Sequence, residues 1–125
     1  MPCTIRWSGH VKPGTVENGI FSGLDWFPTF CAAAGNPNIT DQLLKGVKLG
    51  DHSYKNQLDG YNQMDLLEGK GPSVRHELFY FGGPHLSAVR LDDFKFIFYQ
   101  QPQGWLGPKL TTDMPVMVNI RQDPR

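Results

Sequence analysis

The sequence has no excess of charge of either sign and no long apolar run. Its 12 Lys and Arg residues balance its 12 Asp and Glu residues, so no single-signed field exists to attract nucleic acid or an anionic membrane. No apolar stretch reaches the roughly 18 residues that a membrane-spanning helix needs. The N-terminus lacks a basic region followed by an apolar one, so we expect no export signal in this segment. Nucleic acid and membrane are therefore not expected partners.

Cysteine is also scarce. Cys3 and Cys31 are too few for a disulfide framework, and each has apolar neighbours that favour a buried free thiol. A bridge between these two residues stays open, because the sequence gives no separation of their Cα atoms. The redox compartment is therefore left undecided.

The residues that are present suffice for one modest core. Of the 125 residues, 39% are hydrophobic and 12% are aromatic, which argues against global disorder. The 14 glycines and 10 prolines exceed ordinary usage and predict many turns.

The first half of the chain has signals for one strand and one helix. Alternation over Thr4 to Trp7 predicts a short strand. The pattern Ser22-x-x-Asp25 predicts a capping box at a helix N-terminus. Pro28 should either kink that helix or mark where its regular part begins, and Gly35-Asn36-Pro37 should end it.

Residues 36–57 are polar and interrupted, and they predict an extended surface connection that could contain a single helical turn over 42–45. A short helix is expected within Asp59 to Glu68. Beyond it, four aromatic and β-branched segments predict an antiparallel sheet. These segments are Glu77 to Phe81, Leu86 to Leu91, Lys95 to Tyr99 and Pro115 to Ile120.

Three ordered motifs resemble the C-terminal part of an arylsulfatase, in the sulfatase family of the alkaline-phosphatase-like superfamily. They are Arg6-Trp7-x-Gly9-His10-x-Lys12-Pro13-Gly14, Asp25-x-x-Pro28-Thr29 and Leu58-Asp59-Gly60, and the likeness runs from residue 2 to about residue 124. The resemblance implies an α/β fold for the complete protein and α+β for this segment. Residues 1–70 would supply one edge strand and a helix of the large sheet. Residues 71–125 would form a small four-stranded antiparallel sheet without its final helix.

The resemblance also implies sulfate ester hydrolysis by the complete protein, with calcium and a formylglycine made from cysteine in a Cys-x-Pro-x-Arg motif. Neither Cys3 nor Cys31 is followed by that motif, and the cation-binding Asp and Asn pairs of the family lie upstream. We therefore expect no catalytic residue and no metal ligand in this chain, and no activity of the chain alone. The complete enzyme would act on a sulfated small molecule or glycan, in the periplasm or outside the cell if it has a signal peptide.

His85 is the candidate substrate-binding residue, because it follows a glycine-rich turn in a subdomain that can overhang the pocket of sulfatases. Arg90 and Lys95 could also face a sulfated ligand, although alternating positions in strands more often form a solvated face. Asp92-Asp93 is typical of a tight turn rather than a metal site. His10, His52, His76 and His85 lack the spacing of zinc ligands.

Two other interpretations stay open. One is a non-enzymatic binding or structural module derived from a sulfatase, in which the apolar face of Leu24, Phe27, Phe30 and Ala34 would be uncovered. The other is a segment of a related phosphodiesterase or phosphonate hydrolase. Separately, Asn38-Ile39-Thr40 fits the acceptor pattern for N-glycosylation.

Overall fold

The computed structural model describes residues 2–104 and 106–123. The chain divides into two compact units, one ending at Arg75 and the other beginning at His76. The first unit contains short helices and a two-stranded hairpin, and the second contains a four-stranded antiparallel sheet. The α+β class expected for this segment is confirmed.

The first helix is entered through the predicted capping box. Ser22 caps a 3-10 turn, Gly23–Asp25, which runs directly into α1, Trp26–Ala33. The Ser22 hydroxyl accepts a hydrogen bond from the Leu24 amide at 3.3 Å, and the Asp25 carboxylate accepts one from the Ser22 amide at 2.8 Å. Pro28 lies in the first turn of α1, where a backbone N–H has no partner within the helix, so it marks the start of the helix.

α1 ends as the sequence predicts. Gly35 adopts φ 91°, a conformation that costs glycine little, and its amide donates to the carbonyl of Ala32 at 2.9 Å.

The extended connection predicted over residues 36–57 is wrong, although the helical turn allowed over 42–45 lies within a longer helix. The segment forms α2, Ile39–Lys45, and a hairpin of β1, Val47–Leu49, and β2, His52–Tyr54. Ile39 and Leu43 lie one helical turn apart and are both buried, so packing stabilises a helix that the polar composition conceals.

The strand predicted over Thr4 to Trp7 is absent from the described chain, where these residues have no strand assignment. A strand requires hydrogen bonds to a neighbouring strand, and the described residues provide none for this segment. Cys3 is exposed rather than buried, Cys31 is half-buried, and both thiols are free.

The short helix expected within Asp59 to Glu68 is α3, Met64–Leu67, and Gly69 follows it with φ 68°. The apolar core of the first unit is small and contains Ile39, Leu43 and Leu66.

The second unit contains the four predicted strands, paired antiparallel in chain order. They are β3, Glu77–Gly82, β4, His85–Leu91, β5, Phe94–Gln100, and β6, Leu110–Asn119. β6 begins earlier than predicted and contains Pro115, which an edge strand tolerates because one side of it needs no ladder bonds. Within the described residues, no helix has both the length and the apolar character to cross a membrane.

Candidate functional site

Asp25 and Arg75 form a buried ion pair in the first unit. Asp25 is fully buried and Arg75 is 4% exposed. The Arg75 guanidinium donates to both carboxylate oxygens, with Nη2 2.6 Å from Oδ1 and Nε 2.9 Å from Oδ2. This bidentate geometry is the arrangement in which an arginine and a carboxylate bind most strongly.

Backbone groups complete the bonding of the pair. The Tyr61 amide donates to Asp25 Oδ1 at 2.8 Å, and Arg75 Nη2 donates to the carbonyl of Asp59 at 2.7 Å. The Tyr61 ring lies 4.5 Å from the Arg75 guanidinium carbon. The ion pair therefore fixes the Leu58-Asp59-Gly60 segment against the start of α1.

Two further buried polar side chains adjoin the pair. The Thr29 hydroxyl accepts a hydrogen bond from the backbone N–H of Gln63 at 3.0 Å. The side-chain oxygen of Gln63 accepts one from the backbone N–H of Val74 at 3.2 Å. Among the described residues, no buried side-chain nitrogen or oxygen lacks a hydrogen-bond partner. We call Asp25, Thr29, Gln63 and Arg75 the polar cluster. Its buried side-chain nitrogen and oxygen atoms all have hydrogen-bond partners, so the cluster connects α1 to the segments around Gln63 and Arg75.

Two opposing effects act on the pKa of Asp25. Burial by itself raises it, but the hydrogen bond from Arg75, the amides of Tyr61 and Ser22 and the charge of Arg75 together hold the pKa below its ordinary value of 3.8. Asp25 is therefore a permanent anion at neutral pH.

Sequence reasoning found the capping role of Asp25 but missed its pairing with Arg75. The two residues are 50 positions apart, and Arg75 has no local pattern that sets it apart from other arginines. The sequence signal at Asp25 is its place at the start of a helix, and capping alone accounts for an aspartate at that position.

His10 is held in the N-terminal loop. Its ring stacks on Trp7 with centroids 4.0 Å apart, and its Nδ1 lies 2.9 Å from Glu68 Oε1. Lys70 Nζ lies 2.5 Å from the other carboxylate oxygen of Glu68. The hydrogen bond from Lys70, and to a lesser extent the one from His10, lowers the pKa of the Glu68 carboxyl. These contacts identify His10 as a hydrogen-bonded loop histidine.

Asp92 and Asp93 form the two-residue turn between β4 and β5, with Asp92 at φ 48°. Asp92 Oδ1 lies 2.7 Å from His76 Nδ1, and Asp93 Oδ1 accepts from Arg121 Nε at 2.6 Å. The two carboxylates thus bind separate partners and do not converge on one point.

His85 is the first residue of β4 and lies opposite Gly82 at the hairpin end, with its side chain exposed. Arg90 and Lys95 are register partners on β4 and β5, and Lys95 Nζ lies 4.9 Å from the Tyr80 ring centroid. His85 precedes Arg90 by five positions, about 16 Å along a strand. The structure therefore places Arg90 and Lys95 side by side and leaves His85 at the other end of β4.

Two shallow grooves flank α1. One, of about 300 Å³, is lined by Phe27, Leu43, Leu49, Tyr54, Asn56 and Leu58. The other, of about 260 Å³, is lined by Ile5, Arg6, Trp7, Trp26, Thr29, Phe30, Ala33, Met64 and Leu67. The side chains that line both grooves are mainly apolar.

The described residues also contain no group of three or more His, Cys, Asp or Glu side chains that could hold a metal ion. The sequence contains no Cys-x-Pro-x-Arg motif, so it has no cysteine in the context from which the family makes formylglycine.

Sequence comparison places these features in a family context. No family model matches the chain. The chain is 35% identical to bovine (Bos taurus) arylsulfatase A over 80% of its own length and 18% of that protein. It is 33% identical to human (Homo sapiens) arylsulfatase A over 98% of its length and 24% of that protein. It is 32% identical to mouse (Mus musculus) steryl-sulfatase over 72% of its length and 12% of that protein. The chain thus spans less than a quarter of the length of these relatives.

Proposed function

Because the chain matches the C-terminal segment of the sulfatase family, we propose that it is part of an arylsulfatase whose complete form hydrolyses sulfate esters. The observation that carries the proposal is the likeness to human arylsulfatase A over 98% of the chain. In the complete enzyme the substrate is a sulfated small molecule or glycan, and the calcium ion and formylglycine belong to the upstream part.

The chain supplies scaffold to the complete enzyme, together with one residue at the rim of the pocket. The polar cluster fixes the Leu58-Asp59-Gly60 segment to α1, and the apolar side chains of Leu24, Phe27 and Phe30 are more than half exposed. Side chains of this kind support a contact between α1 and the rest of the enzyme. His85, with its exposed ring, is proposed as a contact to the substrate at the rim of the pocket.

The proposal is tested first on the coding sequence. The reading frame upstream of Met1 should encode a Cys-x-Pro-x-Arg motif and an Asp-Asp pair. An in-frame stop codon upstream of Met1, with neither the motif nor the Asp-Asp pair between that stop codon and Met1, would contradict the proposal.

A second test uses the purified 125-residue chain and a chromogenic aryl sulfate, with and without calcium. We expect no hydrolysis above background, because the chain has no maturation motif for the nucleophile. Extending the chain with its upstream frame should give turnover. Hydrolysis of an aryl phosphodiester instead of the sulfate would favour the related phosphodiesterases. If the 125-residue chain hydrolyses the substrate and the His85→Ala substitution abolishes that activity, the catalytic group lies in this segment.

A further inference from the structure

Asn18 is the single asparagine of the chain that is followed by glycine. We propose that Asn18 and Gly19 form a site of spontaneous deamidation, and that the isoaspartyl product weakens the packing of the adjoining backbone against α3. The site lies outside the polar cluster and outside both grooves. The proposal does not depend on sulfate ester hydrolysis.

The reaction consumes water and needs no enzyme. The backbone nitrogen of Gly19 loses its proton to solvent and attacks the side-chain carbonyl carbon, Cγ, of Asn18. A bond forms between that nitrogen and Cγ, the bond from Cγ to Nδ2 breaks, and the departing nitrogen takes up a proton and leaves as ammonia. Water then opens the succinimide ring. Its attack at Cγ gives aspartate, and its attack at the backbone carbonyl carbon gives isoaspartate.

Both reacting groups are accessible in the folded chain. Asn18 and Gly19 are exposed, and neither lies in a helix or a strand. No hydrogen bond between described residues uses the Asn18 side chain or the backbone N–H of Gly19. Because glycine has no side chain, the attacking nitrogen is unhindered and its backbone can rotate toward Cγ. The fold therefore leaves this peptide bond free to react.

A second pair of residues with the same potential is held in place. Asp59-Gly60 would close the same ring by loss of water, but Gly60 is buried, and a Cβ atom there would overlap the carbonyl oxygen of Leu24. The carbonyl of Asp59 also accepts a hydrogen bond from Arg75 Nη2 at 2.7 Å. Ring closure at residue 59 would have to break these contacts, so we expect no reaction there in the folded chain.

The contacts of Gly19 determine what the product does to the fold. A Cβ atom at Gly19 would lie 3.0 Å from Leu66 Cδ1 and 3.0 Å from Ser73 Cβ, so the backbone passes close to both side chains. The carbonyl of the next residue, Ile20, accepts a hydrogen bond from the Ser73 hydroxyl at 2.5 Å, and that hydroxyl accepts one from Gln63 Nε2 at 3.1 Å. IsoAspartate adds a methylene group to the main chain directly before these contacts. The lengthened backbone cannot keep both its path and its packing, so the first unit is destabilised.

The first test is incubation of the purified full chain in neutral buffer. Digestion at acidic pH, where the reaction is slow, and tandem mass spectrometry then separate aspartyl from isoaspartyl peptides. Asn56 is the internal control, because it is also exposed but is followed by Gln57. Asn18 should convert at least about tenfold faster than Asn56, which corresponds to a barrier lower by about 1.4 kcal/mol. Conversion of Asn18 at the rate of Asn56 would overturn the proposal.

The second test measures the effect on packing by urea denaturation. Fresh Asn18→Asp has the charge of the product on an unaltered main chain, so it separates the effect of charge from that of the added methylene group. Aged wild-type chain should unfold at a lower urea concentration than fresh Asn18→Asp, and the difference should grow with its isoaspartyl content. Asn18→Gln should keep its urea midpoint on ageing, because its longer side chain cyclises slowly. An aged wild-type chain with isoaspartate at residue 18 and the midpoint of Asn18→Asp would overturn the assigned effect on packing.

Discussion

At the scale of single residues, the buried pair of Asp25 and Arg75 is the interaction on which the first unit most depends. It connects the start of α1 with the backbone of Asp59 and Tyr61, which are 34 and 36 positions further along the chain. A buried charge that loses its partner is poorly solvated and destabilises the folded state far more than a lost surface pair.

We therefore expect Asp25→Asn to lower the free energy of unfolding by about 3–5 kcal/mol. Asp93→Asn is the matched control, because it breaks the exposed ion pair with Arg121 and should have a much smaller effect. Urea denaturation followed by tryptophan fluorescence measures both. Equal losses in the two variants would show that burial of the Asp25 pair does not matter.

The same pair predicts a pH dependence. Because the pKa of Asp25 is lowered in the folded state, its contribution to stability is complete above the ordinary value of 3.8 and is lost as the pH falls through the folded value. When the pH is lowered from neutrality to below 3.8, the free energy of unfolding should fall by more in the wild-type chain than in the Asp25→Asn variant. Parallel pH profiles of the two proteins would contradict this assignment.

At the scale of elements, close approach of the backbone at Gly60 sets how the Leu58-Asp59-Gly60 segment meets the turn before α1. A Cβ atom at Gly60 would overlap the carbonyl oxygen of Leu24 and lie 2.7 Å from its carbonyl carbon. Both groups belong to backbone, so neither can move without displacing its element.

Gly60→Ala should accordingly destabilise the chain by about 1–3 kcal/mol, measured as a lower urea midpoint. Gly23→Ala is the control, because a Cβ atom there meets nothing within 4 Å. A Gly60→Ala protein as stable as Gly23→Ala would mean that the two segments do not approach as closely as described.

At the scale of the whole molecule, the chain leaves a large apolar face uncovered. Leu24 is 56% exposed, Phe27 is 52% exposed and Phe30 is 61% exposed, and Ala34 is exposed as well. The sequence predicted this uncovered face for a chain without the rest of the sulfatase fold. An exposed face of this kind favours self-association.

The double substitution Phe27→Gln and Phe30→Gln should reduce self-association of the isolated chain, measured by light scattering, and reduce its binding of a hydrophobic dye. Leu106→Gln is the control, since Leu106 is 97% exposed and belongs to the other unit. If the double variant scatters as much as Leu106→Gln, another surface drives association.

Signals that act over a few residues were sufficient for several parts of the fold. The capping box at Ser22, the stop at Gly35 and the turn at Asp92-Asp93 each depend on neighbours within four positions, so the sequence alone determined them. Alternation determined the four strands of the second unit for the same reason. The likeness to sulfatases is also a property of residue order, and it required no coordinates.

Tertiary structure alone decided the rest. Residues 4–7 alternate like a strand but have no strand neighbour in the described chain, and α2 forms in a polar segment because Ile39 and Leu43 reach the core. The pairing of Asp25 with Arg75 spans 50 positions and leaves no periodic trace in the sequence. Each outcome depends on which groups meet after the chain folds, and local residue patterns carry no information about such distant contacts.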